Sequence, residues 1–180
     1  KMILKKPKFW DNKKFNFLSI LFLPLSIVLI FNNFLLNFRK NHEKSIISIC
    51  VGNIYAGGTG KTPLAIEIYK ILKKLKIKSV LIKKFYNEHI DEIKLLKNNG
   101  NLISSTSRKS SLQEAINKKY DVAILDDGLQ DNSISYDLRF VCFNNINWIG
   151  NGLTIPAGPL RESINNLKNY KHIFLNGNLE

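Results

Sequence analysis

A chain of 180 residues with 44% hydrophobic and 23% charged residues has the length of one domain and enough apolar content to bury a core, which excludes a disordered polypeptide. The formal charge of +13 asks for an anionic partner, whether nucleic acid, acidic lipid or a phosphorylated substrate, and does not choose among them. Two cysteines, Cys50 and Cys142, lie in apolar runs without metal-ligand spacing and read as buried, reduced thiols of a cytosolic part.

From Phe15 to Phe38 the chain is almost entirely apolar, with a centre from Phe17 to Phe31 broken only by Ser19, Pro24 and Ser26. That centre is shorter than the ~20 residues a spanning helix needs, unless a span also takes in Asn32 and Asn33. Lys1, Lys5, Lys6, Lys8, Lys13 and Lys14 precede it and Arg39 and Lys40 follow it. Positive charge at both ends fits a helix lying in one leaflet, flanked by anionic headgroups, better than an oriented span. A cleaved signal peptide would need small residues between Asn32 and Glu43, and a soluble core helix would need a polar face. Residues 1–44 are therefore expected to form a basic, apolar, membrane-associated segment ahead of a domain at 45–180.

After residue 44, short apolar runs alternate with helical stretches, the pattern of a parallel sheet with crossover helices. Strands are predicted at Ser45 to Val51, Ser79 to Ile82, Asn101 to Ser104, Asp121 to Leu125, Leu138 to Phe143 and His172 to Leu175. Helices are predicted at Thr62 to Leu75, Glu88 to Lys97 and Ser111 to Lys118, the first with apolar residues at helical spacing from Leu64 to Leu75. The fold class is α/β, a P-loop NTPase-like parallel sheet flanked by helices.

Between the first strand and the first helix stands Gly52-Asn53-Ile54-Tyr55-Ala56-Gly57-Gly58-Thr59-Gly60-Lys61-Thr62-Pro63. Glycines there can take positive φ and let backbone amides converge on phosphate oxygens, while the helix N-terminus adds partial positive charge. Gly57, Gly58, Thr59, Gly60, Lys61 and Thr62 are the expected nucleotide-phosphate site, with Lys61 on the β and γ phosphates and the Thr62 hydroxyl on magnesium. Tyr55 occupies the first glycine position of the strict pattern, so the Gly57-Gly58 pair is expected to supply the turn. Pro63 falls in the first helical turn, where its missing donor costs little.

Such an enzyme needs a carboxylate at a neighbouring strand end to hold the magnesium shell, and Asp126-Asp127 follow the strand ending at Leu125, with Gly128 expected to turn the chain. Two adjacent aspartates ask for a nearby cation, and Mg²⁺ suits oxygen ligands and phosphates.

The loop from Gly52 to Pro63, the segment Asp126-Asp127-Gly128-Leu129-Gln130 and the run from Gly150 to Glu162, containing Pro156-Ala157-Gly158-Pro159-Leu160-Arg161-Glu162, together resemble the tetraacyldisaccharide 4'-kinase family of lipid A synthesis. Pro7-Lys8-Phe9-Trp10 and Pro24-Leu25-Ser26 resemble the membrane-associated start of that family. The resemblance implies transfer of the ATP γ-phosphate to the 4'-hydroxyl of an acylated disaccharide 1-phosphate, at the cytoplasmic face of the inner membrane. It implies ATP and Mg²⁺ as cofactors, with Lys61, Asp127 and Asp91 catalytic and Thr62, Asp126 and Asp127 at the metal. Asp91-Glu92 stands where the family has a GDEP motif whose aspartate is implicated as base; Arg161 and Glu162 would face the substrate. The sequence departs from the family at Asp131, in place of a histidine, and at Lys83-Lys84-Phe85-Tyr86, in place of an SRGYG segment. The family also continues into a second lobe with a further catalytic histidine, which this sequence does not include.

Two other classes are carried alongside: a P-loop ATPase of the GGxGKT type coupled to partner binding, and an inactive fragment of the kinase. A nucleic-acid role is not expected, since no stacking aromatic motif accompanies the lysines, and no protein partner is inferred.

Overall fold

The computed structural model describes residues 6–11, 16–36, 41–42 and 45–177. Helix α1 spans Phe17–Leu36 and strand β1 is the short Asn41–His42. There follow β2 (Ile47–Gly52), α2 (Lys61–Lys74), β3 (Ser79–Lys84), α3 (Ile90–Asn99), β4 (Leu102–Ser105), α4 (Arg108–Asn117) and β5 (Val122–Asp126). The last strands are β6 (Ile134–Ser135), β7 (Leu138–Asn144) and β8 (His172–Asn176). Every strand and helix predicted after residue 44 is present, with bounds moved by a few residues. The two-residue pair β1 and β6 was not predicted, being too short to show a period.

Six strands form one sheet in the order β4-β3-β5-β2-β7-β8, and every pairing in it is parallel. The chain builds β3 and β4 on one side of β2, returns to insert β5 between β3 and β2, then crosses to the other side for β7 and β8. The strand order thus reverses beside β2, and in open parallel sheets the crevice at the strand C-termini near such a switch is where ligands bind.

Alternation along the strands divides the core between the two faces. Ile49, Val51, Leu81, Val122, Ile124 and Cys142 pack under α2 and α3 with Ala65, Ile66, Tyr69 and Leu96. Cys50, Val80, Ile82, Ala123, Leu125, Val141 and Phe143 face the other way, toward α4 and the chain around Leu129, Tyr136 and Leu160. Both cysteines are free and fully buried, as the sequence predicts.

Helix α1 inverts the usual rule. Among its described side chains the buried ones are Ser19 and Ser26, while Phe17, Leu21, Ile27, Val28 and Phe31 are more than half exposed. Ser19 accepts from Asn151 at 3.2 Å, and Ser26 bonds the backbone at Thr154 and Ala157. Among the described residues no helix is long and apolar enough to cross a membrane. Of the flanking basic residues, Lys1, Lys5, Lys13, Lys14, Arg39 and Lys40 lie outside the described residues. Lys6, partly exposed, lies 2.5 Å from Asp11 and over the Tyr55 ring.

Candidate active site

The loop from Asn53 to Gly60 leaves the C-terminal end of β2 and delivers the chain into α2. Its shape comes from side chains on both sides of it. Asn53, fully buried, donates to the carbonyls of Tyr55 at 2.5 Å and Gly57 at 3.0 Å. Tyr55 is 1% exposed, its hydroxyl donating to Asp11 at 2.8 Å, so the residue that replaces the first motif glycine is a core anchor. From the other side, Asn144 at the end of β7 donates to the Gly58 carbonyl at 2.7 Å. The left-handed residue is Gly60, with φ of 84°, and the chain also bends at Gly57, within the pair expected to make the turn. Gly57 and Gly58 are exposed, and an added Cβ at Gly58 would meet nothing within 4 Å. The backbone at Gly57 and Gly58, just ahead of the α2 N-terminus and Lys61, is therefore accessible, an arrangement competent to receive an anion.

Alternation sends Asp126 and Asp127 to different places. Asp126, the last residue of β5, points to the α2 face. One of its carboxylate oxygens, Oδ2, accepts from Thr62 Oγ1 at 2.9 Å and from Lys83 Nζ at 2.7 Å. The other, Oδ1, is buried without a partner. Lys83 is the register partner of Asp126 across the parallel β3–β5 pair, which is why the two side chains meet. Its ammonium also bonds Glu92, on the first turn of α3. Burial disfavours the charge on Lys83, but the Asp126 and Glu92 carboxylates outweigh that and hold its pKa above the ordinary lysine value. Glu92, in turn, is held below the usual carboxylate range by Lys83, against its own partial burial.

Asp127 lies beyond the strand with φ of 61°, so the left-handed bend sits there and not at Gly128. Gly128 is required for space instead: a Cβ would come 2.7 Å from the Tyr136 hydroxyl and 3.2 Å from Cys50 Sγ. Asp127 accepts from Arg161 at 2.7 Å and lies 3.9 Å from Lys61. Burial would raise its pKa, but Lys61 and Arg161 outweigh that and lower it. The nearby cations that two adjacent aspartates ask for are side chains: Lys83 beside Asp126, which Thr62 also bonds, and Arg161 and Lys61 beside Asp127.

Beside Asp127 opens a cavity of about 590 Å³ whose walls include Lys84, Tyr86, Arg108, Gln130, Asp131 and Arg161. Lys84, Arg108 and Arg161 outnumber the carboxylates of Asp127 and Asp131 in its lining, a net positive balance that favours an anionic occupant. Arg108 is fixed by the Asp127 carbonyl and by Asp131 at 3.2 Å, so the aspartate that departs from the family's histidine serves as its counter-ion. Arg161 also reaches Gln130 at 3.2 Å. Glu162 accepts from Gln130 at 3.1 Å, Asn166 at 3.0 Å and Tyr170 at 3.0 Å, which engages its carboxylate within the loop. Asp91 is exposed on the first turn of α3, and its neighbour Glu92 is the one that reaches Lys83.

Sequence reasoning missed Lys83, Glu92 as a partner, and Arg108. The signal for Lys83 was available: a lysine ending the apolar strand beginning Ser79-Val80-Leu81-Ile82 falls at the C-terminal tip of a parallel strand, where sites form. Arg108 carried no such signal, because α4 starts three residues before its predicted start at Ser111.

Among the described residues no group of three or more His, Cys, Asp or Glu could hold a metal unaided. A magnesium ion keeps several waters and is bound through one or two carboxylates plus substrate phosphates. The unpartnered, buried Asp126 Oδ1 and the Thr62 hydroxyl beside it are oxygen donors that fit such an ion.

The tetraacyldisaccharide 4'-kinase of Pelagibacter ubique is 59% identical over 99% of this chain, and that of Rickettsia canadensis 34% identical over 87%. The chain spans 57% and 52% of the length of those two relatives. A crystal structure of LpxK from Aquifex aeolicus in complex with ATP superposes with a TM-score of 0.73 at 23% identity, over 88% of this chain and 58% of that one, which shows a shared fold. The sequence model of LpxK, Tetraacyldisaccharide-1-P 4'-kinase, matches residues 16–180, and with these relatives it establishes that the chain belongs to that family.

Proposed function

We propose that this protein transfers the γ-phosphate of ATP to the 4'-hydroxyl of a tetraacyldisaccharide 1-phosphate in lipid A synthesis. The observation that carries the reading is the position of Asp127: its carboxylate joins Lys61, at the mouth of the glycine loop, to Arg161, in the wall of a cationic cavity. One group thereby borders both a site suited to a nucleotide's terminal phosphates and a site suited to a phosphorylated acceptor.

In this reading the amides from Gly57 to Gly60 and the Lys61 ammonium bind the β and γ phosphates. Lys61 leaves Asp127 for the phosphate, and Arg161 retains the aspartate. Catalysis is then mainly positioning and charge stabilisation in a partly closed site. Magnesium, held by Thr62 and Asp126 with Asp127 nearby, would neutralise phosphate charge when bound. Of the acidic pair on α3, Glu92 is committed to Lys83 and its lowered pKa makes it a weak base. Asp91 is then the carboxylate of the pair to orient or deprotonate the acceptor hydroxyl. Arg161 contacts the acceptor's anionic groups, and Glu162 supports that contact by fixing Gln130.

The exposed apolar side of α1 would lie in the membrane surface at the cytoplasmic face of the inner membrane, bringing the site to an acylated substrate. The test is an assay with labelled ATP and the disaccharide 1-phosphate in mixed micelles. A product phosphorylated at the 4' position, abolished by Lys61→Ala with membrane attachment intact, is the expected result. ATP hydrolysis indifferent to lipid, with no phosphorylated disaccharide, would replace this reading with that of a partner-coupled ATPase.

A further inference from the structure

The ion pairs around the two aspartates are unequal. Asp127 has two cations, Lys61 and Arg161, both with partly exposed side chains and both able to turn toward a ligand. Among the described residues Asp126 has one, Lys83, and that lysine also serves Glu92. The Lys83 side chain is 3% exposed and Asp126 is fully buried. An ammonium so enclosed does not move into water when another cation arrives; it stays between its two carboxylates. Its Nζ stands 2.7 Å from the same Asp126 oxygen that holds the Thr62 hydroxyl, and so it already neutralises the carboxylate a magnesium ion would use.

We propose that Lys83 is a resident cation at Asp126 that competes with divalent metal, and that Glu92 is the acceptor to which its charge shifts when metal binds. This rests on the nucleotide-binding reading given above. The consequence is a raised magnesium requirement: metal enters only when the nucleotide's phosphates add enough negative charge to share Asp126 between two cations. Before that, Lys83 supplies positive charge to the loop, so nucleotide without metal is not repelled by a bare carboxylate.

The two partners of Lys83 make the idea testable by opposite shifts. Replacing Lys83 with methionine keeps the length and removes the charge, leaving Asp126 more negative; the free Mg²⁺ needed for half-maximal nucleotide affinity should fall about tenfold. Affinity for nucleotide in the presence of EDTA should fall in the same variant. Replacing Glu92 with glutamine removes the alternative acceptor, confines the ammonium to Asp126 and should raise the Mg²⁺ midpoint.

The experiment is equilibrium binding of a fluorescent ATP analogue to the purified protein across a Mg²⁺ titration, for wild type, Lys83→Met and Glu92→Gln, with circular dichroism to confirm folding. A role confined to structure would lower affinity at every Mg²⁺ concentration and leave the midpoint fixed, which overturns the proposal. An unchanged or increased midpoint in Lys83→Met also overturns it. If that variant does not fold, Glu92→Gln decides alone, an unchanged or lowered midpoint being the contrary result. A wild-type protein that binds no nucleotide at any Mg²⁺ concentration removes the nucleotide reading itself, and this proposal with it.

Discussion

Ser26 in the apolar helix α1 donates its hydroxyl to the carbonyl of Thr154 at 2.9 Å, and the same oxygen accepts the Ala157 amide at 3.1 Å. The exposed helix is thereby fastened to the loop that ends in Arg161, whose own amide bonds the Ile54 carbonyl inside the glycine-rich segment. A polar contact in an otherwise apolar helix is placed where the helix meets the protein, and the apolar side is left outward.

Ser26→Ala leaves the buried Thr154 carbonyl and Ala157 amide without that partner, at a cost of about 1–3 kcal/mol. Hydrogen exchange at Ala157 should accelerate while amides in the β2 and β5 strands stay protected. Equal acceleration throughout would mean that Ser26 supports the whole fold and not this loop.

The acid side of the stability profile follows from Asp127. Its pKa is lowered in the folded state from an ordinary 3.8, since Lys61 and Arg161 outweigh its burial. A depressed carboxylate contributes stability that is fully present above its unfolded value and is lost as pH falls through the folded one. Urea midpoints of the wild type should therefore decline as pH falls below roughly 4, and Asp127→Asn should be less stable at neutral pH but flatter across that window. Parallel curves for the two proteins would show that other carboxylates, among them Glu92 and Asp131, carry the acid sensitivity.

Much of this arrangement is legible in the residues. The loop before α2, the strand ending in Asp126 and the apolar periods of the sheet depend on local signals, and the structure has them where expected. What the sequence conceals depends on neighbours distant in the chain. Lys83 reads as one more lysine in a lysine-rich chain until β5 is inserted beside β3, which makes it the register partner of Asp126. Likewise, the left-handed residue of the loop is Gly60, while Asn53, within the loop, and Asn144, at the end of β7, hold the Gly57 and Gly58 carbonyls.

The cysteines give a simple test of packing. Burial pushes the Cys142 thiol up to about 12 and the Cys50 thiol higher still, so neither is a thiolate at neutral pH. A neutral thiol reagent should label neither in the native protein and both in denaturant, with labelling in water limited by unfolding. Rapid native labelling at Cys50 would contradict its burial beside Gly128 in the core cluster that includes Leu129 and Tyr136.

Gly58 and Gly60 separate stability from binding within one loop. Gly60 has φ of 84°, and an added Cβ would approach Asn176 Nδ2 to 2.7 Å. Gly60→Ala therefore meets both backbone strain and a contact with β8, and should lose about 1–2 kcal/mol of stability. At Gly58 an added Cβ meets nothing within 4 Å and φ is not in the left-handed region, so Gly58→Ala should fold with an unchanged melting temperature. The space beside Gly58 is also where the proposed function puts phosphate oxygens, and a methyl group there should weaken nucleotide binding about tenfold or more, by loss of one or two amide contacts to a charged group. Calorimetric melting and ATP-analogue binding on the same two variants check the division. Full nucleotide affinity in Gly58→Ala would move the phosphates away from this loop, whatever the stability of Gly60→Ala.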